Sequence, residues 1–485
     1  MLRSLALAAA AVLMLGAAKA PSVDYRVGVA TQADKPPLVD VEMRFRGDPD
    51  GETRLKLPDN WAGTTEAWRF LSDIAVQGAT TTEDGAAVRV LRHRPNAPIV
   101  VRYRVRTGYD EDPKGGKNPY DGPMIRPTWI DLLGELVFAV PEGRDDQPAT
   151  FRWGGLHPGW RVVSDLEHGG MKVADIPLSL TFGGAAVRVT KHPVPNGVLR
   201  VASLADGPFD AEALGDEIAD IVSAQRRFWA DVKGPYLVTA IPLTWSGKGS
   251  SIGGTGRGDG FALYATPNAA KRLGETISHE HIHTWIPGRI GRMPEEKDEA
   301  TAYWLSEGFT DFFSHRTLLR AGVATPDAIV QRMSGEMANY AKSPARNATS
   351  AQILVNVWKD AAHQRVSYQR GLLLALKWDE EIRRKTAGRA DMDDVILRMR
   401  DAYQAAPDGQ KPDIVGNLVA AAQGVAQLDL RPDIVRYAEG GETVVLPSTL
   451  FDGCLETSPE TPGLRLAPGL SDETLTACGR RIGGL

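Results

Sequence analysis

The chain predicts an α+β molecule with a β-sandwich-like amino-terminal domain, a mainly helical domain after it and a short carboxyl-terminal segment. Three observations predict this. Apolar and polar residues alternate between about Tyr25 and Ala205; apolar residues recur at helical spacing from Asp210; and from about Asp429 the chain is Gly- and Pro-rich with few periodic cues. With 485 residues, 42% hydrophobic and 24% charged, there is apolar material for two or three packed domains, and the composition excludes a fibre or a disordered chain.

The expected divisions are residues 1–20, 21–205, 206–427 and 428–485. The first reads as a secretory signal: Arg3 gives a positive start, Leu5 to Leu15 an apolar run too short to span a membrane, and Ala18-Lys19-Ala20 a small-residue cleavage site. The expected location is therefore exported, either periplasmic or secreted. A formal net charge of −5, made more negative by loss of Arg3 and Lys19, gives no reason to expect a nucleic-acid partner. Cys454 and Cys478 are the only cysteines, and an oxidising compartment would pair them.

In the second division, Val39, Val41, Met43 and Phe45 alternate with Asp40, Glu42, Arg44 and Arg46, as Val101, Tyr103 and Val105 do with Arg102, Arg104 and Arg106. Period two of this kind makes a sheet with one wet face. In the third, Leu214, Ile218, Ile221, Val222 and Phe228 follow Asp210, a suitable N-cap. A strand from Tyr236 to Leu243 precedes a glycine-rich stretch, Ile252 to Gly260, and a strand-like Phe261-Ala262-Leu263-Tyr264, expected at a sheet edge where an extended substrate could add as a strand. Thr266 and Pro267 are placed to open the next helix, which should end near Pro287-Gly288, and another runs from about Glu299 to Arg320.

The chemistry is concentrated in Ser278-His279-Glu280-His281-Ile282-His283-Thr284. On a helix, residues four apart share a face, so His279 and His283 can offer two imidazole nitrogens to one zinc ion, with Glu280 beside them and His281 pointing away. A catalytic zinc takes three protein ligands and leaves a place for water, whose pKa falls to roughly 7. Glu295, Glu296, Glu299 and Glu307 are the candidates for the third. Glu307 is favoured because it lies mid-helix in Trp304-Leu305-Ser306-Glu307-Gly308-Phe309-Thr310-Asp311, whereas the others fall in a polar run suited to a solvated loop. Asp311, one turn on, can hold the outer nitrogen of a ligating histidine. Glu280 would serve as general base, and an oxyanion needs a donor. Tyr368, in Ser367-Tyr368-Gln369-Arg370-Gly371-Leu372-Leu373, is the candidate, although from spacing alone a tyrosine at a helix start reads first as packing.

Four segments together resemble the glycyl aminopeptidase family, gluzincins related to thermolysin and to the larger zinc aminopeptidases. They are His279-Glu280-x-x-His283-Thr284-Trp285, Trp304 to Thr310, Tyr368-x-x-Gly371-Leu372-Leu373, and Asp379 to Thr386. The resemblance covers about 210–400. It implies a thermolysin-like zincin domain behind a β domain, one zinc ion on His279, His283 and Glu307, Glu280 as base and Tyr368 as oxyanion donor. Members carry an acidic residue after paired glycines to hold a free amino terminus, whereas here Gly253-Gly254 leads into Thr255-Gly256-Arg257. Asp259 is the alternative candidate for that role, and Arg257 for binding a substrate carboxylate. A PDZ module common in the family is not recognisable in 428–485. The expected function is thus a zinc metallopeptidase acting on peptides, with aminopeptidase action one mode. The alternatives are a non-catalytic peptide-binding protein of the same fold and a zinc hydrolase of a non-peptide amide or ester.

Overall fold

The computed structural model describes residues 22–485 apart from 33–34, 62–63, 117–118, 246 and 459–461, so the expected signal at 1–20 lies outside the described residues. The amino-terminal region is sheet-rich. A five-stranded sheet places Val23–Gln32 between Lys35–Arg46 and Ala149–Leu156, and Pro98–Val105 lies on the far side of Lys35–Arg46. Val39, Val41, Met43 and Phe45 are buried while the residues between them face solvent, as period two requires. That solvent face is tied by cross-strand ion pairs, Asp40 with Arg104 at 3.2 Å and Glu42 with Arg102 at 2.7 Å. Leu55 and Leu91, from a four-stranded sheet, and Ile130 and Phe182, from another, share the core of the first.

A second five-stranded sheet carries the chain into the catalytic region, in the spatial order Val187–Val194, Gly197–Leu204, Tyr236–Pro242, Gly260–Ala265, Ile252–Arg257. The sheet runs across residue 205, because Gly197–Leu204 pairs in parallel with Tyr236–Pro242, a contact made only after an intervening helix. Phe261 to Tyr264 does not lie at the edge. The glycine-rich stretch itself forms the edge strand, Ile252–Arg257, antiparallel to Gly260–Ala265, which therefore lies inside the sheet.

The helical region begins with Ala211–Trp229, capped by the Asp210 carboxylate on the amides of Glu212 and Ala213. Thr266 does not cap the next helix. Its hydroxyl is engaged with Ser251 and Asn268, so the chain enters as a 3₁₀ turn, Pro267–Arg272, before the histidine helix, Leu273–Ile282. The ligand helix, Tyr303–Arg320, follows another 3₁₀ segment, Glu296–Ala302, and the tyrosine helix spans Ala361–Thr386. Stacked Trp229 and Trp285, 5.3 Å apart, and buried Trp304, Phe309 and Trp378 fill the core between these helices.

Residues 428–485 fold onto that core rather than trailing from it. They form a three-stranded sheet and the helix Asp472–Gly483, and a disulfide joins Cys454 to Cys478, both buried. No helix among the described residues is long and apolar enough to cross a membrane.

Candidate active site

The histidine helix crosses the ligand helix so that His279, His283 and Glu307 converge. The Nε2 atoms of the two histidines are 3.3 Å apart, and the Glu307 carboxylate lies 3.4 Å from His279 Nε2 and 3.6 Å from His283 Nε2. A tetrahedral ion with arms of roughly 2.1 Å needs ligand atoms about 3.4 Å apart, so this triangle has the size of one face of a zinc tetrahedron. Both rings are also oriented for it. His279 Nδ1 lies 2.8 Å from Asp311 and His283 Nδ1 2.9 Å from the Ile286 carbonyl, so both Nδ1 atoms are engaged and both Nε2 atoms face inward.

Electrostatics agree with that donor set. Burial disfavours a charged His279, yet Asp311 and Glu307 hold it well above the ordinary imidazole range. Burial likewise opposes the Glu307 carboxylate, but His283 and His279 keep it strongly ionised. Burial raises Glu280 against the pull of the same two imidazoles, and the backbone of Gly256 is hydrogen-bonded to it. A place where buried imidazole and carboxylate groups hold one another's charge suits a divalent cation.

Tyr368 reaches this cluster from the third helix. Its ring stacks on His279 with centroids 6.0 Å apart, its hydroxyl is hydrogen-bonded to Glu307, and burial followed by that carboxylate keeps the phenol protonated far above neutral pH. Two glycines permit the approach. A Cβ on Gly308 would meet the Gly371 backbone at 2.4 Å, and one on Gly371 would meet the Trp304 carbonyl at 1.7 Å. The ligand and tyrosine helices therefore touch backbone to backbone.

A cleft of about 870 Å³ opens over these groups, lined by His279, Glu280, Asp311, Tyr368, Gly253 and Gly254, with Arg365 at its rim. The paired glycines thus lie where an extended chain would pass. Arg257 does not. It is buried against the Glu135 carboxylate, with its guanidinium 4.9 Å from the centre of the Trp61 ring, because a strand turns alternate residues to opposite faces. Asp259 is in the turn after the edge strand, 3.0 Å from His168, and does not line the cleft. His281 is a core residue, bonded to Gln225 and packed edge-on against Tyr236; burial lowers its pKa to about 3.

Sequence reasoning missed Tyr120. Its hydroxyl donates to the Gly254 carbonyl at 2.7 Å and its ring lines the cleft, bringing the amino-terminal domain to the edge strand. It sits in an irregular Gly- and Pro-containing loop, where no periodicity could mark it.

Replacing Asp311 by Asn, which keeps the size but not the charge, should weaken zinc binding about 10–100-fold. Titration against a chromophoric chelator measures this, and an unchanged affinity would separate Asp311 from metal binding.

Residues 272–374 match the family model of the M61 glycyl aminopeptidases. No curated protein matches the chain. Among solved structures, an aminopeptidase N family protein from Idiomarina loihiensis superposes with a TM-score of 0.71 at 13% identity, over 88% of this chain and 77% of that one. An M1 zinc metallopeptidase from Deinococcus radiodurans superposes with a TM-score of 0.52 at 14% identity, over 89% and 96%. A mutant of the latter bound to a Tyr-Ser-Ala substrate gives 0.54 at 13%, over 88% and 96%. At such identities the structural likeness establishes the fold, a two-domain aminopeptidase N-like α+β architecture. The M61 glycyl aminopeptidase match lies over the site and the donor set there is sized for zinc, so residues 272–374 carry the centre of a zinc-dependent peptidase.

Proposed function

We propose that the chain is an exported zinc metallopeptidase that hydrolyses peptide bonds by attack of water on the carbonyl, and that His279, His283 and Glu307 hold one zinc ion per chain. The observation that carries this reading is the ligand triangle of 3.3, 3.4 and 3.6 Å with Glu280 and Tyr368 both lining the cleft over it. Zinc bound there would polarise both the attacking water and the carbonyl.

The rest falls to the chain's own residues. The edge strand Ile252–Arg257 offers backbone groups to an extended peptide, and Gly253 and Gly254 let it come close. Glu280 takes a proton from the water and returns it to the leaving nitrogen, a task for which burial has raised its affinity for protons. Tyr368, protonated throughout, donates to the oxyanion as it develops and moves no charge. A structural neighbour bound to a Tyr-Ser-Ala substrate supports peptide as the substrate class.

Export is supported by the pattern of Arg3, Leu5 to Leu15 and Ala18-Lys19-Ala20 and by the Cys454–Cys478 disulfide, which suits an oxidising compartment. Digestion of a mixed peptide library tests the activity. Cuts should appear, vanish with chelator and return with zinc, and those clustered one residue from amino termini would assign aminopeptidase action. Protein that carries no zinc and makes no cuts would end the reading.

A further inference from the structure

A second cavity, of about 750 Å³, adjoins the catalytic cleft, and Tyr120 lines both. Its walls include Trp61, Tyr120, Tyr303 and Trp358, and the carboxylates of Glu296 and Glu299 lie on it. It is close to the metal site by construction of the ligand helix: Tyr303 is one turn before Glu307 and shares its face. The aromatic walls are fixed to one another. Tyr303 meets Trp358 edge-on with centroids 6.1 Å apart, Trp61 meets Tyr120 at 5.9 Å, and the buried Arg257–Glu135 pair lies behind Trp61. The Tyr303 hydroxyl donates to Glu299 at 3.3 Å, which holds that carboxylate at the wall.

Trp358 is 75% exposed, with Val355 beside it 60% exposed. A large indole left in water at the lip of a cavity gains its burial only when something enters. Among the described residues the lining carries one cation, Lys297, which lies 3.2 Å from Glu295 and is itself largely exposed, so it leaves Glu296 and Glu299 as the charge the cavity presents inward. Edge-on aromatic walls with carboxylates beyond them suit an apolar stem that ends in a cation.

We propose that this cavity binds the side chain of a lysine or arginine adjoining the scissile bond, its methylenes against Trp61, Tyr303 and Trp358 and its charged head at Glu299 and Glu296. The proposal rests on the peptidase reading above and adds its substrate class. Glu299 is a specificity residue here, not a participant in bond cleavage.

Pairs of peptides identical except for lysine or norleucine on either side of the cut bond test it, since norleucine keeps the stem and lacks the charge. The wild-type protein should favour lysine at one of the two positions by about tenfold or more in kcat/KM. Glu299→Gln should bring the lysine-to-norleucine ratio of kcat/KM close to one by lowering the lysine value, and Trp358→Ala should weaken both. A calorimetric comparison of lysyl and norleucyl peptides on the Glu280→Gln protein reads the cavity without turnover. Equal cutting of lysine and norleucine peptides by an active enzyme would overturn the cavity assignment and leave the peptidase reading standing. An equal loss for both peptides in Glu299→Gln would also overturn it, by assigning the carboxylate to the peptide amino terminus. Failure of the wild-type protein to cut any peptide, with lysyl binding retained, would instead sink the peptidase reading.

Discussion

The Glu280→Gln protein is expected to keep one zinc ion per chain and to lose about 10²–10⁴ in kcat, with peptide affinity little changed. The amide preserves the shape of the carboxylate, and none of the three converging ligand atoms belongs to Glu280. What it removes is the group that, in the proposed mechanism, accepts a proton from the attacking water. Metal content by atomic emission and peptide binding by calorimetry separate that loss from misfolding. A variant retaining more than about a tenth of wild-type turnover would show that another group takes the proton.

The largest expected effect on stability belongs to Arg316. This side chain is only 1% exposed and is held by Asp379 at 2.6 Å and Asp393 at 2.6 Å, with Asp391 at 3.5 Å. Burial opposes its charge, but the three carboxylates keep it firmly protonated. Asp379, wholly buried, is also bound by Arg383 at 2.8 Å and accepts from the Met392 amide at 2.9 Å. The network thus joins the ligand helix, the tyrosine helix and the start of Met392–Ala405. Arg316→Ala strands buried carboxylates and should cost about 3–5 kcal/mol, lowering the thermal midpoint by roughly 3–8 °C. Arg44→Ala, which breaks an exposed pair on the amino-terminal sheet, should leave the midpoint where it is. A similar small shift for both proteins, read by calorimetry, would refute the central place given to Arg316.

The comparison of sequence with structure divides along the range of the interactions. The alternation at Val39 to Phe45 and the spacing from Leu214 to Phe228 are local patterns, and they specify a sheet face and a helix directly. His279, Glu280 and His283 were legible because one helix turn brings them together. Glu307 and Asp311 could be read as partners because they share a second helix face. Long-range pairing was not legible. Nothing in Gly253-Gly254-Thr255 says that the glycine run is itself the edge strand, because that depends on the next strand pairing on its other side with Tyr236–Pro242. Nor does Arg257 reveal in sequence that it answers Glu135, more than a hundred residues earlier. Tyr120 escaped for the same reason: its role depends on where a loop of one domain falls upon another.

The paired glycines at the helix crossing divide the site into two instruments with one ruler between them. Glu307 belongs to the helix that supplies the third proposed ligand, Tyr368 to the helix that supplies the proposed oxyanion donor, and the missing side chains at Gly308 and Gly371 set the gap between those helices. The cluster of histidines and glutamate could assemble on the first two helices alone. Catalytic power, by contrast, depends on a distance written where there is no side chain at all, so a change as small as one methyl group at that crossing can detune the chemistry of a protein whose ligands are all intact.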